Sequence, residues 1–245
     1  MDWHTRYLQQ AGWTEQLRAY LFQRTGLAVA NRVLDVGCGT GVLLEGLPVK
    51  SGAAVFGLDL SLPSVRQASI HAPGASLTCA DGAFLPYADS VFDVVFCHFV
   101  LLWISEPLKV VAEMRRVAHP GGWVLALAEP DYGGRVDYPV ELTALGRWQA
   151  DSLRRQGADP ETGRKLAGIF VRAGLKHVET GVMGGEWAYP TLPGETNLEW
   201  VVLESDLAGQ VPLKEIQKMK KLDADARQKG KRVLFVPTFY AWGQV

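Results

Sequence analysis

Short apolar runs alternate with helical segments from residue 32 onward, and this alternation constrains the fold more than any other feature. Five runs are predicted to be strands, at residues 33–36, 53–58, 77–80, 92–96 and 123–128. Helices are predicted between them, at residues 41–47, 61–71 and 107–117, and His119 to Gly122 are predicted to form the turn that ends the last of these helices. Strands that are apolar throughout are buried on both faces, and intervening helices favour parallel pairing. The sequence therefore predicts a doubly wound, mostly parallel α/β sheet.

The flanking segments are predicted to add helices around this core. Residues 7–26 form one or two helices, with one apolar face made by Trp13, Leu17, Tyr20 and Leu21. After the fifth strand, helices alternate with strands at 176–183, 232–236 and 238–242. We expect a helical lid at 1–31 and one domain at 32–245, with cap insertions at 131–158 and 186–230.

Composition excludes several classes of protein. The 245 residues fit one elaborated domain, and 25 basic against 26 acidic residues argue against nucleic acid as a partner. The chain starts without an apolar signal core, and its longest apolar stretch is far below the roughly 18 residues of a membrane span. Three cysteines without a CxxC pattern argue against disulfides and a zinc site. A cytoplasmic location is the expectation.

A glycine-rich loop, within VLDVGCGTG at residues 33–41, comes directly after the first strand. Glycines at such a turn allow the backbone to contact a ligand. No Gly-Lys-Ser/Thr comes after it, which excludes a P-loop, and Val42 stands where the dinucleotide pattern needs glycine. Asp35 would repel a diphosphate but attract an ammonium or sulfonium centre. S-adenosylmethionine carries both of these cations.

Acidic residues also end the second and third predicted strands. Asp59 can accept hydrogen bonds from both ribose hydroxyls, as an acid does for adenine dinucleotides. Asp81 can accept the amino proton of adenine, while the amide of Gly82 or Ala83 donates to the ring. Acids at the ends of neighbouring strands thus predict an adenosyl ligand.

These features together resemble class I S-adenosylmethionine-dependent methyltransferases. The resemblance rests on the glycine loop, Asp59, Asp81 to Ala83 and the run LPYADSVFDVV at 85–95, and it spans residues 32–130. Within this family, the sequence most resembles the type 11 group, which includes ubiquinone and menaquinone C-methyltransferases. It implies a seven-stranded Rossmann-like sheet whose last strand is antiparallel, with S-adenosylhomocysteine as product. It implies cofactor contacts by Asp35, Gly37, Cys38, Gly39, Asp59, Leu60, Asp81, Gly82, Ala83 and Cys97.

The expected chemistry is in-line methyl displacement, which needs alignment and exclusion of water but no metal. A general base is needed only if the acceptor must lose a proton. The candidate catalytic residues are His98, Glu129 and Tyr132. Arg6 or Arg18 of the predicted lid is a candidate partner for the cofactor carboxylate.

The acceptor is expected to be a small, partly apolar molecule. The fourth strand is followed by Cys97-His98-Phe99-Val100, not by the Asn/Asp-Pro-Pro-aromatic motif of enzymes that methylate nucleobase amines. Basic residues within 214–232 are diluted by acids, which favours a solvated helix face. Aromatic residues in the expected caps could contact a partly apolar acceptor, although core packing explains most of them equally well. These residues are Trp3, Tyr7, Trp13, Trp103, Trp148, Trp187, Tyr189 and Trp200.

Three other functions remain open from the sequence. An RNA or protein methyltransferase keeps the chemistry and changes the acceptor. A non-catalytic module of the same fold binds the cofactor without turnover. A nicotinamide oxidoreductase is opposed by Val42 and Asp35.

Overall fold

The computed structural model describes residues 3–184 and 195–245. In chain order its elements are α1 (Trp3–Trp13), α2 (Glu15–Arg24), β1 (Arg32–Val36), β2 (Ala54–Asp59), α3 (Leu62–His71), β3 (Ser76–Cys79), β4 (Phe92–Cys97), α4 (Pro107–Val117), β5 (Ala118–Pro130), β6 (Val136–Tyr138), α5 (Thr143–Arg155), α6 (Leu166–Arg172), β7 (Lys176–Val182), α7 (Glu195–Leu207), α8 (Leu213–Gln228), β8 (Val233–Phe235) and β9 (Thr238–Gln244).

The main sheet has seven strands in the order β3-β2-β1-β4-β5-β9-β7. Strands β1 to β5 pair in parallel, and β9 is antiparallel to both of its neighbours. The predicted seven-stranded, mostly parallel sheet with a final antiparallel strand is therefore confirmed. Strands β6 and β8 form a separate antiparallel pair.

Successive apolar residues of the central strands point to opposite faces of the sheet, and each face has its own core. Val33 and Phe96 pack with Leu21 of α2 on one face. Leu34 and Val95 pack with α4 and α6 on the other. Burying each such side chain stabilises the chain by about 1.5–3 kcal/mol. The continuous apolar runs are thus explained by a sheet that is covered on both sides.

The segments expected to be caps contribute a further apolar cluster. Residues of α5, α7 and α8, including Leu145, Trp200 and Ile216, pack together beyond the main sheet. Part of the second cap, with Trp187 and Tyr189, lies outside the described residues. The division into a lid at 1–31 and caps at 131–158 and 186–230 stays a prediction.

Two local predictions are wrong. Residues 41–47 form turns rather than a helix, because Gly41 and Gly46 adopt φ of +84° and +67°. The structure also places His119 to Gly122 in β5 rather than in a turn, because Gly121 and Gly122 exchange backbone hydrogen bonds with Val245.

The predicted apolar face near the N-terminus is only partly correct. Leu21 is buried, but Trp13 and Tyr20 are about half exposed. The helical segment is interrupted at Thr14 between α1 and α2, so spacing across the break does not keep these residues on one face. No helix in the described ranges is long and apolar enough to cross a bilayer.

Candidate active site

The register of the parallel strands brings the predicted acids together at the carboxyl ends of the strands. Asp35 of β1 pairs with Gly57 of β2 and Phe96 of β4, and Asp59 pairs with Cys79 of β3. Carboxyl ends of parallel strands are where ligands bind in open α/β sheets. The structure therefore brings together the strand-end residues that the motifs singled out.

Asp35 is the most unusual group at this edge. Its residue is only 2% exposed, and its Oδ1 atom has no hydrogen-bond partner in the described part of the chain. Burial raises the pKa of the Asp35 carboxyl well above its usual range, and the negative charge of Asp59 adds to the rise. A buried carboxylate without a donor is costly, so this position suits a ligand that brings a positive charge.

The glycine loop requires glycine on steric grounds. Gly37, at φ +78°, lies so close to Val100 that a Cβ atom would stand 2.4 Å from its Cγ2 atom. At Gly39, with φ +53°, a Cβ would meet the ring of Tyr7 at 3.0 Å. The amides of Gly37 and Cys38 both donate to the Leu58 carbonyl, which joins the loop to β2.

Asp59 holds the loop in place while keeping capacity for a ligand. Its Oδ2 atom accepts from the Gly39 amide at 2.9 Å, and its Oδ1 atom accepts from the Ser61 amide at 2.8 Å. Each carboxylate oxygen can accept a further hydrogen bond. Beside it, Leu60 is 73% exposed and offers an apolar surface.

The Asp81 turn is arranged slightly differently from the prediction. Asp81 is exposed, and its Oδ1 atom accepts from the Ala83 amide at 2.8 Å. The Ala83 amide is thereby engaged within the turn, which leaves Gly82 as the candidate donor to a ring. Phe84 comes next with its ring largely exposed, and the Lys109 ammonium lies 3.5 Å from the ring centroid.

Two of the thiols near the carboxyl ends of the strands, those of Cys38 and Cys97, are buried. Burial raises the pKa values of Cys38 and Cys97, and neighbouring carboxylates raise them further. Both thiols therefore stay protonated at neutral pH and are not nucleophiles.

His98 lies directly after β4 and is held as a neutral ring. Its Nε2 atom lies 2.9 Å from Thr14 Oγ1 at the break between α1 and α2. Burial and the positive charge of Arg18 lower the pKa of His98 to about 3. The next residue, Phe99, adopts φ +55°, a strained conformation for a bulky side chain. His98 can donate or accept a hydrogen bond here, but it is a weak base at neutral pH.

Glu129, a candidate base from the sequence, makes structural hydrogen bonds. It is fully buried, and its carboxylate accepts from the amides of Val100, Leu101 and Leu102 at 2.8–3.1 Å. Burial raises the pKa of Glu129 to about 7 against the opposing effect of those donors. Because Val100 packs against Gly37, Glu129 indirectly positions the glycine loop.

Tyr132 and its neighbour Asp131 lie beyond the end of β5. Asp131 forms an ion pair with Arg164 and caps the Gly134 amide, so it is not available as a base. Burial raises the pKa of Tyr132, while the charges of Arg135 and Arg6 oppose the rise. Tyr132 remains a candidate donor to the acceptor.

Helices α1 and α2 contact the glycine loop and His98 in ways that the sequence patterns did not place. Tyr7 covers Gly39, and His4 Nδ1 lies 2.9 Å from the Thr40 hydroxyl within the glycine loop. Arg18 of α2 donates to Thr14 Oγ1, beside His98. No spacing rule links an N-terminal helix to a loop at the end of a strand, so only the tertiary structure shows this contact.

Comparison with known proteins identifies the central part of the chain. Residues 34–126 match the family model described as a methyltransferase domain. Over 124 residues the chain is 35% identical to a demethylmenaquinone methyltransferase of Renibacterium salmoninarum, covering 50% of this chain and 52% of that protein. The chain spans about half the length of the curated relatives that it matches.

Solved structures agree on the fold. A putative methyltransferase from an antibiotic biosynthesis pathway of Anabaena variabilis superposes with a TM-score of 0.68 at 15% identity, covering 94% of this chain and 97% of that one. The [4+2]-cyclase SpnF matches with a TM-score of 0.59 at 19% identity, covering 95% and 80%. These likenesses show the fold, and the family model matches residues 34–126 alone. Residues 34–126 therefore match a methyltransferase domain, in agreement with the predicted resemblance to this family.

Proposed function

We propose that the chain is an S-adenosylmethionine-dependent methyltransferase that acts on a small, partly apolar organic acceptor. The observation that carries the proposal is the buried Asp35 carboxylate, whose Oδ1 atom has no donor among the residues described. A ligand with a positive centre supplies what this carboxylate needs. A nicotinamide dinucleotide would instead place its pyrophosphate beside that negative charge.

The surrounding groups fit the remaining parts of such a ligand. Asp59 has lone pairs for the ribose hydroxyls, and Asp81 with Gly82 offers an acceptor and a donor to adenine. In the glycine loop, Gly37 and Gly39 leave no room for side chains, because Val100 and Tyr7 pack against them. When bound, the cofactor supplies an already activated methyl group, so the protein needs no metal for that step.

The residues of this chain align the acceptor and exclude water. Tyr7 covers the loop from α1, and His98 remains neutral and available for a hydrogen bond. Tyr132 keeps its phenolic proton because burial raises its pKa, so it can orient a polar group of the acceptor. With Glu129 occupied by backbone amides, the site supports catalysis by proximity more than by proton removal.

Two observations support a small acceptor. The Renibacterium salmoninarum relative acts, by its name, on demethylmenaquinone, a quinone. Several basic side chains in and directly after α8 are paired with acids, such as Lys220 with Glu204 and Lys229 with Asp225. Of the predicted aromatic contacts, Trp3, Trp13 and Trp103 are about half exposed, whereas Trp200 is buried and bonded to Asp223.

Thermal unfolding with candidate ligands tests the proposal. S-adenosylhomocysteine at a hundred times its dissociation constant should stabilise the chain by about 2.7 kcal/mol. For a chain of this size the midpoint should rise by about 5–10 °C. NAD at the same concentration should produce no shift, and a shift with NAD alone would contradict the proposal.

Measurements of turnover and RNA binding distinguish the proposed function from the alternative functions. Formation of S-adenosylhomocysteine with quinone-like or phenolic acceptors supports the proposal. Binding of RNA with steep salt dependence would favour a nucleic-acid substrate instead. Cofactor binding without turnover across an acceptor panel would favour a non-catalytic module.

Replacing Asp35 with asparagine should show whether ligand affinity depends on the negative charge of this side chain or on its shape. A positive ligand group favours the ionised carboxylate, whereas burial favours the protonated form in the free protein. Affinity of the wild type should therefore rise with pH, above the range in which an exposed aspartate titrates, and then level off. Asp35→Asn should bind S-adenosylhomocysteine about 10- to 150-fold more weakly, through loss of about 1.5–3 kcal/mol, with a flatter pH profile. Calorimetric titration across pH measures both, and an unchanged profile would contradict the role of Asp35.

A further inference from the structure

We propose that His4, Glu45 and His71 form a binding site for one divalent transition-metal ion, with Zn²⁺ as the ion that best suits the donors. One ligand atom from each side chain lies within 4.8 Å of the other two. Imidazole nitrogen and carboxylate oxygen are common zinc ligands, and three protein ligands leave a fourth position for water. None of these three residues is among those assigned to the cofactor.

The three ligands come from separate elements that only the folded chain brings together. His4 is in α1, Glu45 is in the turn that replaces the expected helix, and His71 is the last residue of α3. Had residues 41–47 formed a regular helix, Glu45 would occupy a different position. The turn at Gly41 and Gly46 therefore contributes directly to the cluster.

The two imidazoles are already in contact. Their rings are stacked with centroids 3.5 Å apart and an interplanar angle of 10°. A metal ion binds imidazole rings in their neutral form. A shared ion must lie near the plane of each ring, so we expect both rings to rotate out of the stack when the ion binds.

A hydrogen bond outside the cluster helps to orient one ligand. His4 Nδ1 lies 2.9 Å from the Thr40 hydroxyl, so His4 would bind the ion through Nε2. Metal-binding histidines usually make such a bond through their second ring nitrogen, which fixes the ring orientation. The partner here belongs to the glycine loop, so an ion at this site would join α1 to the loop that it covers.

The exposure of the cluster predicts reversible binding. Glu45 is exposed, and both histidines are only partly buried. The ion would therefore exchange with solution. Because α1 also places Tyr7 over Gly39, occupancy should restrain the helix that covers the cofactor loop.

Metal titration of the cofactor-free protein tests the site independently of any methyltransferase activity. Co²⁺ absorption and Zn²⁺ calorimetry should both show one saturable site per chain. Glu45→Gln and His71→Gln should each weaken Zn²⁺ binding at least about tenfold, a loss of about 1.4 kcal/mol. Thermal midpoints without metal show that each variant is folded.

Two control variants test whether Zn²⁺ binds at histidine or cysteine side chains outside the proposed site. His177→Gln alters an exposed histidine of β7, at the opposite edge of the sheet from β3, and should bind Zn²⁺ as the wild type does. Cys79→Ser, which removes an exposed thiol, should also leave the site intact.

Hydrogen exchange supplies a second readout. Zn²⁺ should slow exchange of the α1 amides, at residues 3–13, in the wild type and not in Glu45→Gln. The absence of saturable Zn²⁺ binding below millimolar concentration would overturn the proposal. So would equal affinity in the wild type and both ligand variants.

Discussion

Replacing Glu129 with alanine is expected to lower the free energy of unfolding by about 3–5 kcal/mol, since three backbone amides would lose a buried acceptor at about 1 kcal/mol or more each. The donors are Val100, Leu101 and Leu102, which form the turn after β4. The midpoint of thermal unfolding should fall by about 6–20 °C. Denaturant unfolding at fixed pH measures the loss directly.

A glutamine at the same position is the matched control. Glu129→Gln preserves the shape and one acceptor oxygen, but it turns an NH₂ group towards one of the amides. It should therefore cost less than alanine, about 1–3 kcal/mol. Equal and negligible effects of both variants would contradict the structural role assigned to Glu129.

The same pair should differ in the pH dependence of stability. Burial raises the pKa of Glu129 to about 7 in the folded chain, above its value near 4.3 when unfolded. The folded state therefore holds this proton more tightly, and stability contributed by it falls as pH rises from about 4.3 to about 7. Glu129→Gln should flatten that part of the profile between pH 5 and pH 8.

Much of the fold could be predicted from local pattern, because the strands of a parallel sheet that is covered on both faces appear in the sequence as continuous apolar runs. Val33 and Leu34 are both apolar because one faces each core. The glycine loop could also be predicted, since loop, acid and strand are contiguous in sequence. Residues 41–47 misled the prediction because their apolar composition suits a helix, whereas glycine conformations at both ends favour turns.

The site was harder to predict where its parts come from distant segments. The sequence does not show that the Glu129 carboxylate is hydrogen-bonded. The backbone amides that donate to it belong to residues 27 to 29 positions earlier in the chain. Tyr7 and His4 have no motif around them, yet α1 places both against the glycine loop. Such roles depend on how layers pack, which periodicity within one element does not encode.

These contacts connect the stability of the turn after β4 with the geometry of the cofactor loop. Glu129 fixes Val100, and Val100 occupies the space beside Gly37 that any side chain there would need. On the other side, Asp59 accepts from Gly39, and Tyr7 packs over it. The loop is held from both sides, so a substitution within it should affect the ligand more than the fold.

Gly39→Val is accordingly expected to reduce affinity for S-adenosylhomocysteine at least about a hundredfold, a loss of about 2.7 kcal/mol, while the chain stays folded. Gly39 has φ +53°, and a Cβ there would meet the Tyr7 ring at 3.0 Å. Valine would both strain the backbone and displace groups at the ligand surface. Calorimetric titration measures the affinity, and the thermal midpoint reports on folding.

Gly230→Val supplies the control for backbone strain alone. Gly230 adopts φ +63° after α8, and a Cβ there would meet nothing within 4 Å. Both variants should therefore lose about 1–2 kcal/mol of stability from the left-handed conformation, and only Gly39→Val should lose the ligand. If Gly39→Val retains affinity close to the wild type, or if Gly230→Val loses as much, the glycine loop is not the surface that meets the cofactor.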